Sequence, residues 1–359
     1  MRLVTLDSRE VGGRPGISLP SGEILDLAAS PSGLTASQWR PQSVVSVLAE
    51  GEEGSARVAR LLAELDSAPE AQRQEWRRSG RLLPASGTRL MPPIRRPGLL
   101  LMVADRSGGR SACYVKNPNS ATGPDATIPR SEGDDRQLYL LAMIGLVVGR
   151  PLFRATAAQA ARALAAVTLV ADLGTRRLAG RPEDGGADAR QFPGACVIGP
   201  ALVTLDELPA TVSWEVLVRV NGRAVGSGTS DLTVEQGASI LAALSSRYAF
   251  RPGDIVGLPA GVSEFELPGA SEVTLALAGA LELRFATGSW AAVSSRALSL
   301  DDLLYYCLQR VSLREPDVLR RLLAFHFQFE LDDDDRDPFL GDGRDVVHAG
   351  DRIDGVLDL

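Results

Sequence analysis

Residues 138–150 read LYLLAMIGLVVGR and residues 168–174 read TLVADLG. Both are short runs rich in large aliphatic and β-branched side chains, each running into glycine, which is the pattern of short strands ended by turns. The stretches around them repeat it: LLLMVAD (99–105), ACYVKNP (112–118), EVLVRVNG (215–222), EVTLALAG (272–279) and ALELRFAT (280–287). Two helical segments interrupt these strands. One is expected over 155–164, and the other over 234–245, where Thr233 stands as N-cap with Gln236 three residues later. Strands grouped together with few helices predict an α+β domain, mainly β, over 99–287, rather than a doubly wound parallel sheet.

On the N-terminal side, the apolar positions Leu3, Val4, Ile17, Leu19, Ile24, Leu25 and Leu27 alternate with the turn signals GGRPG and PSG, which predicts a small β-unit. Two helical patterns follow between Ser43 and Arg81, with Val58, Leu61, Leu62 and Leu65 on one face. Pro92, Pro93 and Pro97 then mark a boundary, so a separate α/β domain is expected over 1–95. On the C-terminal side, Ser299 with Asp302 reads as a capping pair ahead of a Leu300, Leu303, Leu304, Cys307, Leu308, Val311 stripe. A helical extension is expected over 288–359, with a solvated acidic run at 332–335.

The chain has 359 residues, enough for two or three folding units, and 45% hydrophobic residues, enough for a sizeable core. Its 38 basic residues against 45 acidic ones give a net charge of -7 with no basic stripe, which argues against nucleic acid. No apolar run approaches the roughly 20 residues needed to cross a bilayer, so no membrane partner and a cytoplasmic location are expected. Three widely spaced cysteines suggest neither a disulfide framework nor a zinc cluster. His326 and His348 lie late in the chain and leave the first 325 residues without imidazole. Lys116 is the one lysine among the basic residues.

Taken in order, several segments resemble the fumarylacetoacetate hydrolase family. YVKNPNSATGPDATI (114–128) is similar to the family's FLKPPSALIGPGDPI, LAMIGLVVGR (141–150) to EAELAVVIGR, and VTLVADLGTRR (167–177) to GYTVANDVSARD. ARQFPGACVIGP (189–200) resembles GKSFDGFCPIGP, and VNGRAVGSGTSDL followed by RPGDIVGLPAGV resembles VNGEVRQDGNTSDM and PGDVIATGTPAGV. The resemblance implies the family's β-sandwich roll, a homodimer, and a pocket in which a divalent metal holds a small oxo-acid or dicarbonyl substrate.

The same alignment breaks at the ligands. The family's metal is held by two glutamates of E-x-E and by the aspartate of ANDVSARD; here those positions carry Leu141, Met143 and Asp172. One carboxylate beside two apolar side chains is a poor cage for a hard divalent ion, so neither a metal nor another cofactor is expected. Glu132, Asp134 and Asp135 are the nearby carboxylates that could replace the lost ligands, and they read as an exposed turn. The family's GKSFDG lysine aligns with Arg190, which keeps the charge but does not titrate near neutrality. The histidine-bearing lid has no counterpart in DRSGGR (105–110).

The resemblance and the residue chemistry together nominate Lys116, Asp172 and Arg190 as catalytic candidates. Leu141, Met143, Tyr139, Gln191, Cys196 and Leu258 are the substrate-binding candidates, and Thr175 and Arg176 are weaker ones. Each has a structural alternative: Lys116 as a strand-end charge facing solvent, Arg190 paired with Asp172 where the metal would sit, and Cys196 as packing. The leading expectation is a metal-independent small-molecule enzyme, a cyclase, isomerase or lyase acting on a hydrophobic or dicarbonyl substrate of specialised metabolism. Two alternatives remain open. One is a non-catalytic, partner-binding subunit that uses Tyr305, Tyr306, Phe325, Phe327 and Phe329; the other is a metal-dependent C–C hydrolase or decarboxylase with relocated ligands.

Overall fold

The computed structural model describes residues 1–8, 13–28, 43–105, 112–130, 136–177, 187–208, 214–230 and 233–289. The strands are β1 (Arg2–Leu6), β2 (Arg14–Ser18), β3 (Glu23–Asp26), β4 (Leu82–Pro84), β5 (Leu90–Met91), β6 (Leu100–Asp105), β7 (Ala112–Lys116), β8 (Ala121–Thr122) and β9 (Thr127–Arg130). They continue with β10 (Arg136–Val148), β11 (Leu164–Arg177), β12 (Cys196–Thr204), β13 (Trp214–Val220), β14 (Arg223–Ser230), β15 (Ile255–Pro259), β16 (Phe265–Leu267), β17 (Ser271–Leu277) and β18 (Leu281–Ser289). The helices are α1 (Val44–Ala49), α2 (Glu52–Ser67), α3 (Glu70–Arg78), α4 (Ala157–Ala163) and α5 (Val234–Ser245).

Two sheets result, as the mainly β reading expects. The larger runs β4-β3-β2-β1-β12-β11-β10-β15-β6-β7, with β16 on β10, β5 on β1 and β8 on β12; the smaller runs β14-β13-β17-β18-β9. Long antiparallel β10–β11 pairing forms its backbone, from Arg136↔Arg177 to Val148↔Leu164. Because side chains alternate across a strand, β10 and β11 send apolar groups to both faces of the large sheet. One set, including Leu140, Ala142, Ile144, Leu169, Ala171 and Leu173, packs with Val216, Val218, Leu275 and Leu283 of the small sheet. The other set, including Met143, Val147 and Val170, packs in a second core with Cys196 and Ile198 of β12 and with Val58, Leu61, Leu65 and Trp76 of the N-terminal helices. At about 1.5–3 kcal/mol for each fully buried large aliphatic side chain, these two layers dominate stability.

Among the described residues, β1 pairs antiparallel with β12 through Arg2↔Val203 and Leu3↔Leu202, so the strands ahead of the proline-rich stretch extend the large sheet. The helical stretch before it holds three helices rather than two. Its second pattern breaks at Pro69, which forces Ala68 out of helical geometry to ψ 131°. α5 covers the expected 234–245 and begins at its capping box, with the Thr233 side chain accepting from the Gln236 amide and the Gln236 side chain accepting from the Thr233 amide. The expected C-terminal helices, the acidic run, both histidines, and Glu132, Asp134 and Asp135 lie outside the described residues. Among the described residues no helix is long and apolar enough to cross a membrane.

Candidate functional site

Asp172 sits mid-strand on β11, between Leu141 of β10 and Cys196 of β12 in register, and is fully buried. Its side chain therefore projects from the face that carries the second core. Tyr114 and Lys116, two residues apart on β7, share that face, paired with Met102 and Leu100. The carboxylate meets three donors. Lys116 Nζ donates to Asp172 Oδ1, while Tyr114 Oη and Arg190 Nη1 donate to Asp172 Oδ2, the latter at 2.9 Å. Lys116 Nζ also donates to the Leu173 carbonyl at 3.1 Å and is fully buried, which corrects the solvent-facing alternative for this lysine.

Arg190 closes a short 3-10 turn, Ala187–Arg190, and lies across Gly174. A Cβ at Gly174 would stand 3.1 Å from both Cγ and Cζ of Arg190, so a larger residue there would make the Arg190 side chain shift by a few tenths of an ångström. The other arm of Arg190 pairs with Glu264, whose second oxygen pairs with Arg176. Arg176 stacks on the Tyr139 ring with Cζ 4.3 Å from its centroid. A ladder of charge thus runs outward from buried Asp172 through Arg190 and Glu264 to Arg176, whose side chain is 45% exposed.

Burial and the adjacent Asp172 carboxylate push the Tyr114 phenol well above its ordinary range, so it stays protonated. Burial works against the Arg190 charge, but Asp172, Tyr114 and Glu264 outweigh it and raise its pKa. Burial pushes the Cys196 thiol up to about 12 despite nearby Lys116, which fits packing rather than nucleophilic chemistry.

The nominated residues do not all converge. Lys116, Asp172, Arg190, Leu141, Met143, Tyr139 and Cys196 belong to the same face of the large sheet. Of these, Lys116, Asp172, Met143 and Cys196 are fully buried, and Leu141 and Tyr139 partly so. Gln191 serves the backbone instead, accepting from the Asn117 amide at 2.7 Å and donating to the Val115 carbonyl at 3.2 Å. Leu258 pairs with Ile144 and is buried in the opposite core, so it stands away from Asp172 because its strand parity is the other one. Three residues of the cluster escaped the sequence reading: Tyr114, Glu264 and Gly174. For Tyr114 a signal existed, its i, i+2 spacing from Lys116 on one strand.

This arrangement does not fit a divalent cation. Leu141 and Met143 supply no oxygen, and both oxygens of Asp172 already accept from cationic side chains, whose charge repels a metal ion. Among the described residues no group of three or more His, Cys, Asp or Glu could hold a metal.

Comparison with known proteins agrees with this fold. Uncharacterised proteins of Staphylococcus epidermidis and Staphylococcus haemolyticus are 30% and 29% identical over 151 residues, 42% of this chain and 50% of each relative. The chain thus spans about half the length of the curated relatives it matches. A maleylpyruvate hydrolase from Sphingobium sp. SYK-6 superposes with a TM-score of 0.62 at 18% identity, covering 80% of this chain and 100% of that one. A fumarylacetoacetate hydrolase from Exiguobacterium antarcticum gives 0.61 at 22%, covering 80% and 99%. The family model described as the fumarylacetoacetate hydrolase C-terminal domain matches residues 103–286, just over half of the chain. That span holds both sheets' central strands and the whole Asp172 cluster, and on this evidence the chain belongs to the fumarylacetoacetate hydrolase family.

Proposed function

We propose that this chain is a small-molecule enzyme of its family that works without a divalent cation, isomerising or cyclising a hydrophobic or dicarbonyl compound. The single observation that carries this reading is the occupied carboxylate: Lys116, Arg190 and Tyr114 all donate to Asp172. The buried ammonium and carboxylate then act as a fixed dipolar support. They hold Arg190 in place, where its guanidinium can polarise a carbonyl or stabilise an enolate as charge develops. Leu141 and the Tyr139 ring, both partly exposed, supply the apolar wall on which a greasy substrate would lie. Lys116 and Asp172, being fully buried, support the reacting groups rather than touch them.

A specific observation favours a second reading, that of a non-catalytic descendant: Asp172 and Glu264 are both engaged in ion pairs, so neither is a free base in this state. Turnover decides between the two. The full chain is assayed against a panel of hydrophobic 1,3-dicarbonyl compounds, with EDTA and with added magnesium or manganese. Turnover that EDTA leaves unchanged is expected. Turnover that requires added metal would revive a hydrolase with relocated ligands, and none under any condition would favour the non-catalytic reading.

A further inference from the structure

The β13–β14 hairpin turns through Asn221 and Gly222, whose φ angles of 51° and 76° suit a two-residue turn and set Val220 directly opposite Arg223. Residues opposite one another share a face of the sheet. Val220 belongs to the core between the two sheets, so Arg223 leaves the small sheet on the side that looks toward the large one. The ladder then pairs Ala224 with Arg219 and Gly226 with Val218, which makes Val225 an extra, bulged residue. A bulge re-aims the side chain it carries, and Val225 is left 49% exposed.

Facing the hairpin are β16, which pairs with β10 alone, and Pro268. A cleft of about 420 Å³ opens between them, with Val220, Val225, Phe265 and Pro268 as apolar lining and Arg223 and Glu266 as charged lining. That volume lies within the roughly 300–1,000 Å³ of small-molecule sites. Its walls are tied together. A Cβ at Gly228 of β14 would stand 2.3 Å from the Gly261 carbonyl carbon, so β14 lies directly against the β15–β16 connection. Asn221 Oδ1 accepts from the Glu272 amide at 2.8 Å and holds the hairpin tip. A cleft formed in advance costs less ordering when it is filled.

Arg223 and Glu266 are both exposed, and neither makes an ion pair with the other or with any described residue. A monoanion would satisfy Arg223 but meet Glu266 as a like charge, and a monocation would do the reverse; a ligand carrying both charges satisfies both. We infer that this cleft is a second ligand site, which takes a free α-amino acid with an apolar side chain. Its carboxylate pairs with Arg223, its ammonium with Glu266, and its side chain lies between Val225 and the Phe265 ring. The cleft shares no residue with the Asp172 cluster, so the inference stands apart from the dicarbonyl reading.

The test titrates the full chain calorimetrically with L-phenylalanine, phenylacetate and phenethylamine, the last two lacking one charge each. The parent is compared with Arg223→Gln and Glu266→Gln, both exposed positions, and melting curves check that the variants are folded. The parent is expected to bind phenylalanine saturably and about three- to fivefold more tightly than either analogue, the most that one exposed ion pair contributes. Arg223→Gln should erase the preference over phenethylamine, and Glu266→Gln the preference over phenylacetate. No saturable binding of phenylalanine by the parent, equal binding of the three probes, or a preference that survives in the matching variant overturns the assignment.

Discussion

Replacing Lys116 by methionine removes one ammonium while keeping most of the side chain's volume, and its cost can be worked from the cluster. Breaking a buried ion pair by deleting one partner costs about 3–5 kcal/mol, because the surviving charge stays buried. Asp172 keeps Arg190 at 2.9 Å and the Tyr114 hydroxyl after the change, so the loss belongs at the lower end of that range, about 3 kcal/mol. Deleting both charges in a Lys116→Met, Asp172→Leu double variant removes the uncompensated carboxylate and is expected to recover part of the loss, giving a coupling energy above about 1 kcal/mol. Equilibrium urea denaturation of the four proteins measures each difference. A single variant within about 0.5 kcal/mol of the parent, or a double variant that is merely additive, would refute the claim that Lys116 holds the charge of Asp172.

Other consequences follow from the same geometry. Gly174→Ala places a methyl 3.1 Å from the Arg190 guanidinium carbon and should cost about 1–3 kcal/mol as that side chain shifts, read by denaturation and by loss of any Arg190-dependent ligand binding. Glu264→Gln separates Arg190 from Arg176; since Arg176 is 45% exposed, that outer arm contributes at most about 1 kcal/mol, and the cost of the variant should shrink as salt is raised. Cys196 should resist thiol reagents at pH 8 until the protein unfolds. Its folded value of about 12 lies above the ordinary 9.0, so the parent is stabilised below pH 9 by keeping the thiol neutral and loses that contribution as pH rises from 9 toward 12; a Cys196→Ala variant should lose less over the same interval.

Much of the fold is legible in local sequence. The apolar run of β10, the Thr233 and Gln236 capping pair and the ordered set of short strands each carry their structure in adjacent residues. What was not legible depends on long-range pairing. Pro92, Pro93 and Pro97 are a local signal, whereas the pairing of Leu3 with Leu202 joins strands far apart in the chain and leaves no local trace. The site divides in the same way. Asp172, Lys116 and Arg190 come from the resemblance, and their mutual ion pairing follows from placing three charged groups where a metal would otherwise balance one. Glu264 enters only because β16 pairs with β10, through Phe265↔Leu140, which brings the preceding loop residue over the site. Leu258 shows the opposite failure: aligned with a functional position, it is buried on the other face of the sheet through strand parity.

The measurement that bears most directly on the central claim is a calorimetric titration of the chelator-washed full chain with manganese, alongside elemental analysis of the protein as purified. With Lys116 and Arg190 on Asp172 and hydrocarbon at 141 and 143, the account predicts no stoichiometric metal as purified and no saturable binding at micromolar manganese. One tightly bound ion per chain, abolished by Asp172→Asn, would contradict it.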